Sequence, residues 1–193
     1  MKEYLKLGLT LLVICAIAAG TLAFINSMTA PVIAEASKQA SYAMYYEILD
    51  DGDEINDIPE EELTSIQSSY PGILSVLNVT RGGEDFAKIF TVNSNGYGGA
   101  MENAIILDNE QNILGFRNIS NAESPGFGNV ISDESYYSRY EGKTVTDNDE
   151  LVLGSGGGVN EIEAISGSTV TSNAVLKGLN EAVAAYKEFF AGN

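Results

Sequence analysis

Leu7 to Ile25 is an unbroken run of 19 residues without a charge. As a helix rising 1.5 Å per residue it reaches about 28 Å, close to the ~30 Å hydrocarbon core of a bilayer. Gly8, Thr10, Gly20 and Thr21 are small or satisfy their own hydroxyls, which membrane helices tolerate. Lys2 and Lys6 precede the run and the next basic residue is Lys38. By the positive-inside rule, the N-terminus stays in the cytoplasm and the large remainder lies outside the cell membrane. A cleaved signal peptide is the competing reading, with Gly20, Thr21 and Ala23 as cleavage-like small residues. The run exceeds the usual apolar stretch of ~7–15 residues in such peptides, so an uncleaved single-pass anchor is expected. Ile14 is bulky where a lipoprotein needs a small residue before its cysteine. The expected organisation is a cytoplasmic tail at 1–6, an anchor at 7–25, a juxtamembrane helical region at 26–70 and a compact domain at 71–193.

Lys2, Lys6 and Glu3 are the only charges ahead of Asn26. The rest of the chain therefore holds 8 of the 10 basic and 26 of the 27 acidic residues, a net of −18. Such a domain repels nucleic acid and anionic head groups, so no nucleic-acid partner is expected. Histidine is absent, which removes the usual general base and the commonest metal ligand. The one cysteine, Cys15, lies in the apolar run, so the chain has no disulfide, no CxxC pair and no thiolate iron–sulfur site of its own. No metal site and no catalytic side chain are expected. Any redox chemistry here needs an organic cofactor.

Beyond the anchor, the chain leaves the membrane through Pro31. Ala34 to Leu49 is expected as a helix, with Tyr42, Tyr45, Tyr46 and Leu49 at helical spacing. Asp50 to Asp57 reads as an acidic loop. Pro59 followed by Glu60, Glu61 and Glu62 reads as a helix start, and this outweighs a paired-carboxylate acid–base site. Ile73–Val79 with Asp85–Asn93, and Ala104–Leu107 with Ile113–Ile119, alternate as two strand pairs. Tyr136 and Tyr137 begin a short helical segment, and Gly154 to Gly158 make a flexible turn. Ser172 resembles an N-cap, followed by the apolar stripe Val175, Leu179, Val183, Tyr186 and Phe190. The fold class is α+β: a single N-terminal transmembrane helix, then an extracytoplasmic domain with an antiparallel sheet and flanking helices.

The segment from Glu163 to Ser172 sets Ser166, Ser168, Thr171 and Ser172 around Thr169, with one glycine at 167. Small side chains leave the Thr169 hydroxyl reachable, Gly167 lets the backbone bend round a bulky group, and a following helix N-terminus suits a phosphate. On these grounds the segment is either a phosphate site or a hydroxyl-rich helix cap without a ligand.

Ser166-Gly167-Ser168-Thr169 closely resembles the S/T-G-A-T flavinylation motif of the FMN-binding domain family. That family includes the G subunit of the Rnf ion-translocating complex and the C subunit of the sodium-pumping quinone reductase. Glu163 stands where the family usually has Asp, and Ser168 where it usually has Ala. Glu123-Ser124-Pro125-Gly126-Phe127-Gly128 resembles the family's E-T-P-G-L-G loop, which packs near the flavin. Asn121 stands where members often have histidine. Thr29-Ala30-Pro31, Gly96-Tyr97-Gly98-Gly99 and Val170 to Val175 also resemble Rnf G subunits, so the likeness covers nearly the whole chain.

The resemblance implies FMN joined by a phosphoester to Thr169 through a dedicated flavin transferase. It implies a cofactor-binding set of Ser166, Gly167, Ser168, Val170 and Thr171 around Thr169, with Glu123, Ser124, Gly126 and Phe127 from the second motif. The implied role is one step of an electron relay between ferredoxin and NAD, coupled to sodium or proton movement through other membrane subunits. Two alternatives stand beside it: an FMN domain of another extracytoplasmic electron-transfer chain, and a scaffold domain without flavin.

Overall fold

The computed structural model describes residues 2–145 and 150–191 of the chain. Its first element, α1 (Lys2–Tyr46), is one continuous helix. The helix runs through Pro31 although proline removes a backbone donor and crowds the preceding turn. Alanines 30, 34, 36 and 40, the strongest helix formers, flank it on both sides. Thr10 and Thr21 donate their hydroxyls to the carbonyls of Lys6 and Ile17 four residues back. This self-satisfaction is what an apolar solvent demands. α1 is long and apolar enough to cross a membrane, and its large apolar side chains from Leu5 to Ile33 are exposed.

The chain divides into two compact units, residues 1–44 and 45–193. The second begins inside the segment expected to be juxtamembrane, and the expected boundary at residue 71 falls between two of its elements. Those elements are β1 (Asp53–Asp57), α2 (Glu60–Ser69), β2 (Ile73–Arg81), β3 (Glu84–Asn95), β4 (Ala100–Asp108) and β5 (Ile113–Ser120). Then come a 3-10 turn at Gly128–Ser132, α3 (Glu134–Tyr137), β6 (Val152–Gly154), β7 (Glu161–Glu163) and α4 (Thr169–Phe189). β1 to β5 form an antiparallel meander in chain order, and β6 and β7 make a short parallel pair.

β1 corrects the acidic-loop expectation. Its residues Asp-Glu-Ile-Asn-Asp lack apolar alternation because β1 is an edge strand, paired only with β2. Asp53 anchors it: Arg81 Nε and Nη2 donate to its two carboxylate oxygens at 2.7 Å, and Asp50 N–H donates at 3.0 Å. The Arg81 hydrogen bonds hold the Asp53 carboxyl below the usual carboxylate range.

The main core lies between one sheet face and α4. Phe90, Val92, Ile105 and Leu107 meet Val175, Leu179, Ala182, Val183 and Tyr186, all buried. The apolar stripe expected on the closing helix is thus the face that it buries, with Phe90 edge-on to Tyr186 at 6.3 Å. Alternate residues Leu77, Val79, Ala87, Ile89, Ala104 and Ile106 point to the other face and are equally buried. Tyr45 and Ile48 sit there: the Tyr45 hydroxyl meets Thr91 Oγ1 at 3.3 Å, and the Ile48 side chain lies against Gly115. The sheet is therefore covered on both faces.

Candidate functional site

α4 begins at Thr169, with Ser168 in the N-cap position and no side-chain cap bond. Ser172 is therefore not the N-cap but the fourth helical residue. Its fully buried hydroxyl accepts from Ile165 N–H at 3.0 Å and donates to Ser168 carbonyl oxygen at 3.1 Å. Ser168 N–H closes a tight turn onto Ile165 carbonyl oxygen at 3.0 Å. Gly167, at φ +77°, occupies the turn position that needs left-handed backbone. Ser172 thus staples the turn to the helix it precedes. Below it, Tyr136 and Tyr140 share a 2.8 Å hydroxyl contact, and burial pushes both phenols up.

This packing sorts the hydroxyls of the segment. Ser168, Thr171 and Ser172 are buried, while Ser166 and Thr169 are exposed. Thr169 is the first helical residue, next to N–H groups that no intrahelical carbonyl can reach. Those donors and the positive end of a 21-residue helix favour an anion at this point.

The second motif reaches the same place from β5. Ser124-Pro125-Gly126-Phe127 forms a turn closed by Phe127 N–H on Ser124 carbonyl oxygen at 3.1 Å. A polar ladder through the sheet fixes its base. Asn103 Nδ2 donates to Ser94 Oγ, Asn118 Nδ2 to Asn103 Oδ1, and Asn121 Nδ2 to Asn118 Oδ1 at 2.7 Å. Asn121 Oδ1 then accepts from Glu123 N–H at 3.0 Å. The residue standing in place of the family histidine is therefore the one that pins the loop.

Glu123 is only 7% exposed. Its Oε1 accepts from Gly98 N–H at 3.0 Å and its Oε2 from Thr171 Oγ1 at 2.9 Å. One carboxylate thus joins the β3–β4 loop, the 121–128 loop and the start of α4. Gly128 lies against it so closely that a Cβ there would run into Glu123 Oε2 and stand 2.8 Å from Thr171 Oγ1.

The three segments enclose a cleft of about 430 Å³, within the ~300–1,000 Å³ span of small-molecule pockets. Of the residues expected at the site, Glu123, Ser124, Phe127, Gly167, Ser168, Thr169, Val170 and Thr171 line it. Ser166 and Gly126 are exposed turn residues outside that lining. Tyr97 and Gly128 line it too and fall outside the set that the motifs suggest. The aromatic tip between glycines 96, 98 and 99 is the signal that marks Tyr97. Tyr97, Phe127 and Val170 are 78%, 60% and 58% exposed, three apolar faces at one opening. A cleft with apolar faces at its mouth and unpaired N–H groups at one end fits a planar aromatic group carrying a phosphate.

Comparison with known proteins agrees. Residues 96–184 match the FMN-binding domain family and residues 1–48 the RnfG N-terminal region. The G subunit of the Na(+)-translocating ferredoxin:NAD(+) oxidoreductase complex of Acetobacterium woodii is 32% identical over 195 residues, spanning 96% of this chain and 93% of that protein. The G subunit of the ion-translocating oxidoreductase complex of Stutzerimonas stutzeri is 29% identical over 94% of this chain and 78% of its own length. Among solved structures, the C subunit of the Na(+)-translocating NADH-quinone reductase from Parabacteroides distasonis shares the fold. Its TM-score is 0.53 at 24% identity, over 61% of this chain and 63% of that one, just under two thirds of its length. With the N-terminal helix and the cleft-bearing domain both matched and a relative aligned over nearly its whole length, this protein belongs to the family of G subunits of ion-translocating oxidoreductase complexes and carries that family's FMN-binding domain.

Proposed function

We propose that this chain is a membrane-anchored electron-transfer subunit with FMN held as a phosphoester on Thr169, working in an Rnf-type complex outside the cytoplasm. The observation that carries the attachment site is the sorting of hydroxyls. Thr169 is exposed, lines the cleft and opens α4, whereas Ser168 beside it is buried and the Thr171 hydroxyl is committed to Glu123. A flavin transferase would form the bond between Thr169 Oγ and the flavin phosphorus. The hydroxyl proton leaves, and the activating group departs from a flavin phosphate donor. The product keeps one phosphate charge, which the first-turn N–H groups of α4 would receive.

When bound, FMN supplies the one- and two-electron chemistry that the side chains lack. The chain's own residues position it. Thr169 tethers it, Phe127, Tyr97 and Val170 offer apolar faces, and the Asn121–Glu123 loop holds Phe127 in place. A tether also keeps the cofactor at high effective concentration beside partner subunits. The A. woodii relative is named for sodium-coupled electron transfer between ferredoxin and NAD(+), and the same class of reaction is proposed for the complex containing this chain. α1 has no charged residue between Leu7 and Ile25, so the ion path belongs to other membrane subunits. Lys2 and Lys6 support a cytoplasmic N-terminus, with the cell membrane crossed once.

Intact mass spectrometry after co-expression with a flavin transferase tests the reading. The wild-type chain gains the mass of FMN less one water and gives a fluorescent band on a denaturing gel, and Thr169→Ala gives neither. An adduct that survives in Thr169→Ala would overturn the assignment.

A further inference from the structure

We propose that the Glu123 carboxylate sets the reduction potential of the cofactor in this cleft, as a buried negative charge that no cation neutralises. The inference rests on the FMN reading of the cleft. Among the described residues, the ion pairs of the domain go to Asp50, Asp53, Asp85 and Glu47, and none goes to Glu123. Its partners are two neutral donors, Gly98 N–H and the Thr171 hydroxyl. A Cβ at Gly96 or at Gly128 would strike its carboxylate oxygens, so the chain is cleared to glycine on two sides to admit it. A buried carboxylate without a cation is costly, and a glutamine would fill the same space. Its amide oxygen can accept from Gly98 N–H, and its NH2 can donate to the Thr171 hydroxyl. The joint between the three segments therefore does not require the charge.

The charge acts on what the cleft holds. Taking up two electrons with one proton leaves an isoalloxazine ring one charge more negative, and a second proton leaves its charge unchanged. A fixed carboxylate deprived of water opposes the first outcome strongly, because the local dielectric is far below that of water. Glu123 therefore keeps the potential low, which suits a relay working close to a strong reductant.

The test is a spectroscopic redox titration of the flavinylated full chain in detergent, with dithionite as reductant and intact mass as the measure of loading. Glu123→Gln is expected to raise the midpoint potential by the equivalent of at least tenfold in the oxidised-to-reduced equilibrium, about 30 mV for a two-electron couple. Thr171→Val keeps the charge and removes one of its two donors, so its potential is expected to fall. A loaded Glu123→Gln protein whose potential matches wild type overturns the proposal. If Glu123→Gln folds but takes no flavin, Thr171→Val decides, and an unmoved potential there overturns it equally. Folded but flavin-free behaviour in both variants makes Glu123 an attachment residue only, and also overturns it. A wild-type chain without an FMN adduct sinks the FMN reading itself, whereas an adduct with unmoved potentials sinks only the role of Glu123.

Discussion

Removing the Ser172 hydroxyl tests how the turn before Thr169 is held. In wild type that oxygen serves two backbone groups: it accepts from Ile165 N–H and donates to Ser168 carbonyl oxygen. Ser172→Ala does not strand the carbonyl, because Ser172 N–H still donates to it at 3.0 Å. It does strand the Ile165 N–H, in a residue only 7% exposed. One orphaned buried donor costs about 1–3 kcal/mol. At roughly 2–4 °C per kcal/mol for a domain of this size, the melting temperature should fall by roughly 2–12 °C. Tyrosine emission is the natural probe, because the chain has ten tyrosines and no tryptophan. Ser166→Ala and Thr169→Ala are the controls: both side chains are exposed, and both should stay within ~0.5 kcal/mol of wild type. The three hydroxyls lie within seven residues, so composition alone assigns them equal effects. A Ser172→Ala loss no larger than that of Ser166→Ala would refute the staple and the burial argument behind it.

Gly128→Ala places a methyl against Glu123 and Thr171 and should cost about 1–3 kcal/mol by overpacking, with a matching drop in FMN loading measured by intact mass. Asp53→Asn addresses acid stability. The Arg81 hydrogen bonds depress the folded-state value of Asp53, so its stabilisation is fully present above the ordinary carboxylate range and is lost as pH falls through the folded value. The variant should melt lower than wild type at neutral pH, and the two melting curves should converge in acid below that range. Cys15 lies within the apolar stretch of α1, so in intact membranes it should resist a charged maleimide and react only after denaturation in detergent.

Much of the domain is legible in the sequence because its elements obey simple periods. The two strand pairs alternate and are joined by short turns, and α4 carries a single stripe that ends up facing Phe90 and Val92. The features that are not legible have no period of their own to announce them. β1 exists because Arg81, 28 residues away, takes Asp53, and nothing in Asp-Glu-Ile-Asn-Asp itself signals a strand. β6 and β7 are three residues each beside a glycine-rich turn, too short for any period to register. α4 starts three residues ahead of the cap expected at Ser172 because several hydroxyl residues compete for that position, and what sets Ser172 apart is its hydroxyl, committed to Ile165 N–H and Ser168 carbonyl oxygen inside the helix. At the cleft, the Ser166–Thr169 segment and the Glu123 loop are visible from their motifs. Their closure by one carboxylate, and Tyr97 at the opening, require the β3–β4 loop to be brought in by the sheet.

The second covered face of the sheet bears on where the domain can be separated from the apolar helix. Tyr45 and Ile48 close over the face that carries Leu77, Val79, Ile89 and Ile106, a layer at most 6% exposed. A protease cut, or a truncation, placed after Leu49 leaves every strand of the meander in the fragment. It nevertheless strips this lid and leaves an apolar sheet surface wet and prone to self-association. A water-soluble fragment therefore has to begin upstream of Tyr45, inside the helix that starts at Lys2. The end of the long apolar helix and the start of the folding unit are the same stretch of chain.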